Sequence, residues 1–202
     1  MNRNIFSTIC LSLMVIFLGC ASTPKPDKTL QELIKQGKIE EAKNRFANQY
    51  DINGADEDGN TALHLAAQIN NVDLVTFLVI RGADSKITNA KGQTPLHLAI
   101  ATDCFDVASF LSMIDGDLFI KNADGITALD QGLAKNPAYY DLFITPKSGS
   151  FVDEFGQTIV HYFVKAKDKQ AILECVKKDI PISIKDINNK TPLDTALEDL
   201  ND

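Results

Sequence analysis

The sequence predicts an all-α solenoid, in which helix-turn-helix units joined by short β-hairpin loops stack side by side. A four-residue word that begins with threonine occurs five times, and the steps between its threonines are 33, 33, 31 and 33 residues. A glycine, or an asparagine in the last copy, stands two residues before each threonine. Repeats of this length are typical of proteins whose units bury their apolar faces only against neighbouring units. The five words are Thr61-Ala62-Leu63-His64, Thr94-Pro95-Leu96-His97, Thr127-Ala128-Leu129-Asp130, Thr158-Ile159-Val160-His161 and Thr191-Pro192-Leu193-Asp194.

Each position of the word suits one place in a helix-turn-helix unit. The glycine before it, such as Gly59, allows the positive φ that a tight hairpin turn requires, and Asn189 is the next most tolerant residue type. The threonine side chain accepts backbone N–H groups at the start of a helix. Pro95 and Pro192 fit the first helical position, where the missing N–H of proline costs nothing. The word therefore predicts the hairpin turn and the beginning of the first helix in each unit.

The word and its period resemble the ankyrin repeat, whose signature is Gly-x-Thr-Pro-Leu-His every 33 residues. The resemblance covers about residues 30–202 and implies an ankyrin-repeat solenoid with a concave protein-binding surface. We expect the ankyrin-repeat domain at 29–202. Within it we place a capping unit at 29–56, repeats at about 57–89, 90–122, 123–153 and 154–186, and a half-repeat at 187–202.

The third repeat departs from this pattern. It is two residues short, and the segment from Asn136 to Tyr140 includes a proline where the second helix of the unit should begin. We therefore predict a short or irregular second helix, with Tyr139, Tyr140, Phe143 and Phe151 available either to cover the gap or to contact a partner. Violations of a local pattern tend to occur at functional or strained sites. The junction of the third and fourth repeats is therefore the predicted centre of the binding surface.

The first 28 residues have the pattern of a secretion signal followed by a tether. The segment from Met1 to Arg3 is short and positively charged, and an apolar run ends in Ile16-Phe17-Leu18-Gly19-Cys20, which resembles the lipobox of bacterial lipoproteins. The resemblance implies a signal peptide at 1–19, lipidation of Cys20 and a flexible tether at 20–28. With Ala21 after the cysteine, it also implies the periplasmic side of the outer membrane. The alternative is an ordinary signal peptide that happens to end in Gly-Cys.

The net charge of the chain limits the classes of molecule that it is expected to bind. The 20 basic and 27 acidic side chains give a formal net charge of −7. Because Arg3 is the one charged residue before Cys20, removal of the first 19 residues leaves 19 basic against 27 acidic side chains, a net of −8. Such a surface repels nucleic acid and anionic lipid headgroups. It is compatible with a basic protein partner, or it serves solubility alone.

No pattern of catalytic or metal-ligating residues is recognisable in the sequence. The three histidines all stand at the end of the repeated word, so copies in neighbouring repeats should lie roughly 8–10 Å apart, too far to share a zinc ion. We expect them to hydrogen-bond to the helix cap and the hairpin. Cys104 and Cys175 fall two repeats apart and should be separate thiols. The chain is therefore predicted to have no cofactor, no metal and no small-molecule substrate, and not to be an enzyme.

The predicted partner-binding residues lie on the hairpin tips and on a first helix. Phe155 is singled out because exposed aromatic side chains often anchor partners, although packing against Phe151 or Phe163 is the alternative. The predicted set is Asp56, Glu57, Asp58, Gln68, Asn89, Lys91, Asn122, Asp124, Asp153, Glu154, Phe155, Asp186 and Asn188.

Three functions are compatible with these expectations. The first is a membrane-anchored protein-interaction module of the bacterial envelope. The second is an immunity protein that neutralises a periplasmic toxin such as a phospholipase, because small bacterial ankyrin lipoproteins of this role are similar in size and plan. The third is an accessory factor of a periplasmic enzyme. The sequence does not separate them, since a fold does not specify a partner.

Overall fold

A computed structural model of the protein describes residues 28–46, 51–114, 117–136 and 138–198. The predicted signal peptide, Cys20 and the tether up to residue 27 lie outside the described residues. Within these ranges the fold is all-α, with no strand and only isolated β-bridges at the bases of two hairpins, as the repeats predict. The helices are α1 (Lys28–Lys35), α2 (Ile39–Phe46), α3 (Ala62–Gln68), α4 (Val72–Ile80), α5 (Pro95–Ala101), α6 (Phe105–Ile114), α7 (Ala128–Lys135), α8 (Ala138–Phe143), α9 (Ile159–Lys165), α10 (Lys169–Lys177) and α11 (Pro192–Glu198), with 3-10 turns at Asp117–Phe119 and Ser148–Ser150.

The first helix of each repeat begins where the threonine predicts. The side chains of Thr61, Thr94 and Thr127 each accept the backbone N–H of the residue three positions on. This bond satisfies one of the N–H groups that a helix leaves unpaired at its start. The predicted caps are therefore confirmed in these three repeats.

Helices of the same kind stack in rows. Among the first helices, α3 packs on α1, α5 on α3 and α7 on α5, while α4, α6 and α8 form a second row behind them. Ala66, Ala67 and Ala99 are fully buried, and their small side chains let neighbouring first helices approach closely. The leucines of the first three words are buried with them, which gives one continuous apolar core along the solenoid.

The third repeat has the short second helix that its sequence predicts. α8 has six residues, whereas α4 has nine and α6 has ten. Tyr139 and Phe143 on α8 are fully buried, and the Tyr139 ring stacks on Phe105 with centroids 4.6 Å apart. Two of the four aromatic residues that were expected either to fill the gap or to contact a partner therefore fill it.

The two described cysteines are separate thiols, as predicted. Cys104 and Cys175 are both buried, and neither forms a disulfide. Burial raises the pKa of Cys175 to about 12, so this thiol is not a reactive thiolate at neutral pH. Within the described ranges, no helix is both long enough and apolar enough to cross a bilayer.

Candidate protein-binding site

Five hairpin tips project from one edge of the solenoid, and each is stabilised in the same way. In the fourth tip, Oδ1 of Asp153 accepts the backbone N–H groups of Phe155 at 2.9 Å and of Gln157 at 2.8 Å. This is an Asx turn, in which a short side chain replaces a backbone acceptor. The first residues of the other tips form the same pair of bonds; they are Asp56, Asn89, Asn122 and Asp186.

The Asx turns give a structural role to five residues of the predicted partner-binding set. Their side chains hold their own loops. At the fifth tip, the same hydrogen bonds also favour the ionised form of the carboxylate. The backbone N–H of Lys190 is the largest cause that lowers the pKa of Asp186. An aspartate or asparagine stands five residues before every repeat threonine. This recurrence is the sequence signal that could have predicted the Asx turns.

Neighbouring tips are joined by backbone hydrogen bonds, which we call the tip ladder. The Ala90 N–H donates to the Asp58 carbonyl at 2.9 Å, and the Ala123 N–H donates to the Lys91 carbonyl at 3.0 Å. At the far end of the solenoid, the Ile187 N–H donates to the Phe155 carbonyl at 2.9 Å. In each case the second residue of one tip bonds the third residue of the tip before it.

The histidines of the repeated word form a second link between repeats. Nδ1 of His64 accepts the Thr61 N–H at 3.1 Å, and Nε2 donates to the Gln93 carbonyl of the next hairpin at 2.9 Å. His97 and His161 make the equivalent bonds, in which Nε2 lies 3.2 Å from a carbonyl of the following hairpin. Both ring nitrogens are thus used by the fold. Burial is the main cause that lowers the pKa of His64 and of His97, so both are neutral at pH 7.

Both links are missing between the third and fourth tips, a place we call the third junction. The word of the third repeat ends in Asp130, whose carboxylate caps Thr127 at 2.7 Å but has no N–H to donate to the next hairpin. Among the described residues, no tip-ladder bond joins the Asp124 carbonyl to the Glu154 N–H. Gly125 has open space beside it, whereas Gly92, at the equivalent position of the second tip, has the backbone of the next tip close by. The third and fourth tips are therefore apart.

A cleft of about 410 Å³ lies at the third junction. We call it the junction cleft. The Phe119 and Tyr162 rings at its wall stack with centroids 4.9 Å apart, and the Tyr162 hydroxyl donates to Asp153 at 2.9 Å. Burial, followed by this hydrogen bond, raises the pKa of Tyr162. The lining residues are Lys86, Phe119, Ile120, Lys121, Val152, Asp153, Glu154, Phe155 and Tyr162.

The separation of the third and fourth repeats extends behind the tips. A second cleft of about 280 Å³ lies between α7 and α9, and Asp130, Tyr140 and Phe163 contribute to its lining. The Tyr140 hydroxyl donates to the Asp168 carboxylate, and this hydrogen bond is the largest cause that raises the pKa of Tyr140 to about 12. The third junction is therefore held by aromatic contacts and this bond rather than by the links of the other junctions.

Comparison with known proteins agrees with this architecture. A family model described as "Ankyrin repeats (3 copies)" matches residues 20–124, just over half of the 202-residue chain. The chain belongs to the ankyrin-repeat family. The Notch-regulated ankyrin repeat-containing proteins of Xenopus tropicalis and Homo sapiens are each 30% identical to it over 76 residues, which is 36% of this chain and 67% of theirs.

A bacterial structure resembles this ankyrin-repeat chain over nearly its whole length. It is a chain from the solved complex of the Bd0816 predatory endopeptidase from Bdellovibrio bacteriovorus with the immunity protein Bd3460. The match is 27% identical, covers 88% of this chain and 94% of that chain, and has a TM-score of 0.53.

The remaining residues of the predicted set lie on the exposed surface of the ankyrin tips and of α3. Phe155 is 48% exposed, so it is not buried against Phe151 or Phe163. Glu154 and Phe155 also line the junction cleft, so the structure brings this part of the predicted set together. The other exposed members are Glu57, Asp58, Gln68, Lys91, Asp124 and Asn188.

Proposed function

We propose that this ankyrin-repeat chain is an immunity protein that binds an endopeptidase and blocks its activity. The observation that carries the proposal is the match to a chain of the endopeptidase–immunity protein complex, because it spans 88% of this chain and 94% of that chain. An endopeptidase is thus a better-supported target than the phospholipase that the sequence suggested. A general interaction module and an enzyme accessory factor remain the two alternatives.

The surface is suited to binding a protein. Five tips lie along one edge, and their exposed charged residues include Glu57, Lys91 and Asp124. The acidic excess of the chain, a formal net charge of −7, favours a target whose contact surface is basic. We propose that the chain acts by covering the target and not by chemistry of its own, so one molecule should block one enzyme.

An inhibition titration tests this function. The purified protein is added in increasing amounts to each secreted endopeptidase of the cell that produces it, and cleavage of a fluorogenic peptide substrate is measured. We expect activity to fall linearly and to reach its minimum at a one-to-one ratio with one of these enzymes. Binding with unchanged activity would favour the general interaction module, and raised activity would favour the accessory factor. Either result, or no effect on any endopeptidase, contradicts immunity.

We further propose that the protein is lipid-anchored through Cys20 in the bacterial envelope, on the periplasmic side of the outer membrane. The support is the Gly19-Cys20 junction followed by a polar, proline-containing segment. Several acyl chains on one cysteine hold a protein stably on a bilayer. Cys20→Ala should move the protein from the membrane fraction to the soluble fraction, whereas Cys10→Ala, within the signal segment, should not. Unchanged fractionation of the Cys20→Ala variant would contradict the anchor.

A further inference from the structure

The third junction leaves one backbone donor and one backbone acceptor without the partners that they have elsewhere in the tip ladder. The Glu154 N–H stands where Ala90, Ala123 and Ile187 donate to the preceding tip, and the Asp124 carbonyl stands where the preceding tip accepts. In the described part of the chain, neither group forms a backbone hydrogen bond. Exposed backbone groups of this kind are a template on which another chain can pair.

We propose that an extended segment of the partner's polypeptide chain binds at the third junction, between the third and fourth tips and over the junction cleft. The main chain of that segment would accept from Glu154 N–H and donate to the Asp124 carbonyl, which completes the tip ladder. One apolar side chain of the segment would contact Phe119, Phe155 and Tyr162. The identity of the partner as an endopeptidase rests on the function proposed above, whereas the site itself rests on the structure of the third junction.

The complementarity of the cleft favours a polypeptide over other ligands. A peptide backbone carries both an acceptor and a donor in each residue, which matches the pair that the junction leaves open. The charges at the cleft are mixed, with Lys86 and Lys121 on one side and Asp153 and Glu154 on the other, so the site does not favour a polyanion such as a nucleotide.

Exposed apolar surface at the cleft supplies a reason for binding. Val152 is 49% exposed and Phe155 is 48% exposed, and the Asx turn of Asp153 holds the backbone of Phe155. A rigid loop loses little conformational freedom when a partner covers it, and aromatic anchors of this kind dominate many interfaces. We infer that the segment's apolar side chain covers both residues.

Two substitutions of Glu154 separate the backbone donor from the side-chain charge. Glu154 is the second residue of its turn, where proline is favoured, so Glu154→Pro removes the N–H without removing a bond within the fold. We expect Glu154→Pro to weaken binding to the inhibited endopeptidase about tenfold and Glu154→Gln to change it less than about twofold. Phe155→Ala should weaken binding at least about tenfold, whereas Ile80→Ala, which removes an exposed apolar side chain of α4, should not. Equal loss in Glu154→Gln and Glu154→Pro would overturn main-chain pairing.

A crosslinking experiment tests the site even while the partner is unidentified. Phe155 is replaced by the photoreactive p-benzoyl-phenylalanine in the full chain within the producing cell, and Ile80, which is exposed on α4, is replaced in the same way as a control. We expect position 155, and not position 80, to crosslink to one contiguous segment that mass spectrometry assigns to an endopeptidase. A contiguous segment of a different protein class would keep the site and contradict the proposed function. Crosslinks from position 80 alone, or none from position 155, would overturn the site.

Discussion

His64, His97 and His161 show how one residue type can join two repeats. Nδ1 of each ring serves the cap of its own helix, and Nε2 donates to a carbonyl of the next hairpin. Asp130 occupies the same position of the word and keeps the first of these functions, because its carboxylate accepts the Thr127 N–H at 3.3 Å. It loses the second function, since an ionised carboxylate is an acceptor only.

We expect His97→Asn to lower the free energy of unfolding by about 1–2 kcal/mol, because the cap is retained while the bond to Ile126 and part of the ring packing are lost. The Ile126 carbonyl keeps one partner, the Asn122 N–H, which limits the cost. Asp130→Asn is the matched control, because this position has no link to the next hairpin. It should change the free energy by less than about 0.5 kcal/mol. Urea denaturation measures both, and equal effects would show that the link is not stabilising.

The buried histidines also predict how stability depends on pH. In the folded chain, burial lowers the pKa of His64 and of His97 below 6.5, the ordinary value that applies to the unfolded chain. At a pH between the folded and the unfolded pKa, the unfolded chain therefore binds more protons than the folded chain. The free energy of unfolding should therefore be level above about pH 7 and fall as the pH drops below 6.5. Urea denaturation at pH 7.5 and pH 5.5 measures the fall, which should be smaller in His97→Asn. A rise in stability towards pH 5.5 would contradict the neutral, buried state of these rings.

Among the elements, the pairing of α7 with α8 explains how a six-residue helix completes its repeat. Gly132 on α7 takes the position that Ala66 and Ala99 hold in the first two repeats. A Cβ atom there would lie 2.5 Å from Cε2 of Phe143 and 3.2 Å from Cγ of Tyr139. The glycine therefore gives the two rings of the short helix the space that a longer helix would fill with aliphatic side chains.

Gly132→Ala should lower the free energy of unfolding by about 1–3 kcal/mol, because overpacking displaces the Phe143 ring. The helix propensity of alanine opposes this by about 1 kcal/mol, so the sign of the change tells which effect prevails. Phe143→Leu removes the ring and should make Gly132→Ala much less harmful in the double variant. Thermal unfolding of the four proteins completes the cycle. A stabilised Gly132→Ala variant would mean that the α7–α8 contact is looser than the structure indicates.

For the whole molecule, the repeats form one solenoid whose third junction differs from the others. Elsewhere, neighbouring tips share a backbone hydrogen bond and a histidine link. At the third junction the neighbouring repeats contact each other through two aromatic pairs. The ring centroids are 4.9 Å apart for Phe119 and Tyr162 and 6.3 Å apart for Tyr140 and Phe163. In the described part of the chain, the third junction thus presents a cleft where two neighbouring tips share no backbone hydrogen bond.

Much of this architecture could be predicted from local sequence. The turn positions were clear because a positive φ restricts the residue type, and Gly59, Gly92 and Asn189 have φ of +77°, +69° and +62°. The short second helix of the third repeat also followed from its missing residues. Features that join one repeat to the next were not predictable, because they depend on the spacing of stacked units. The tip ladder and the volume of the junction cleft are of this kind. The histidine bonds to the cap and to a hairpin were expected from the sequence, but not that this hairpin belongs to the next repeat.

Amide exchange measured by NMR tests the central claim, which is that the third junction is open and receives the partner. In the free protein, the amides of Ala90, Ala123 and Ile187 should exchange slowly because each donates to a neighbouring tip, and the Glu154 amide should exchange fast. In the complex with the inhibited endopeptidase, the Glu154 amide should become as slow as the other three. Slow exchange of Glu154 in the free protein, or fast exchange in the complex, would contradict the account.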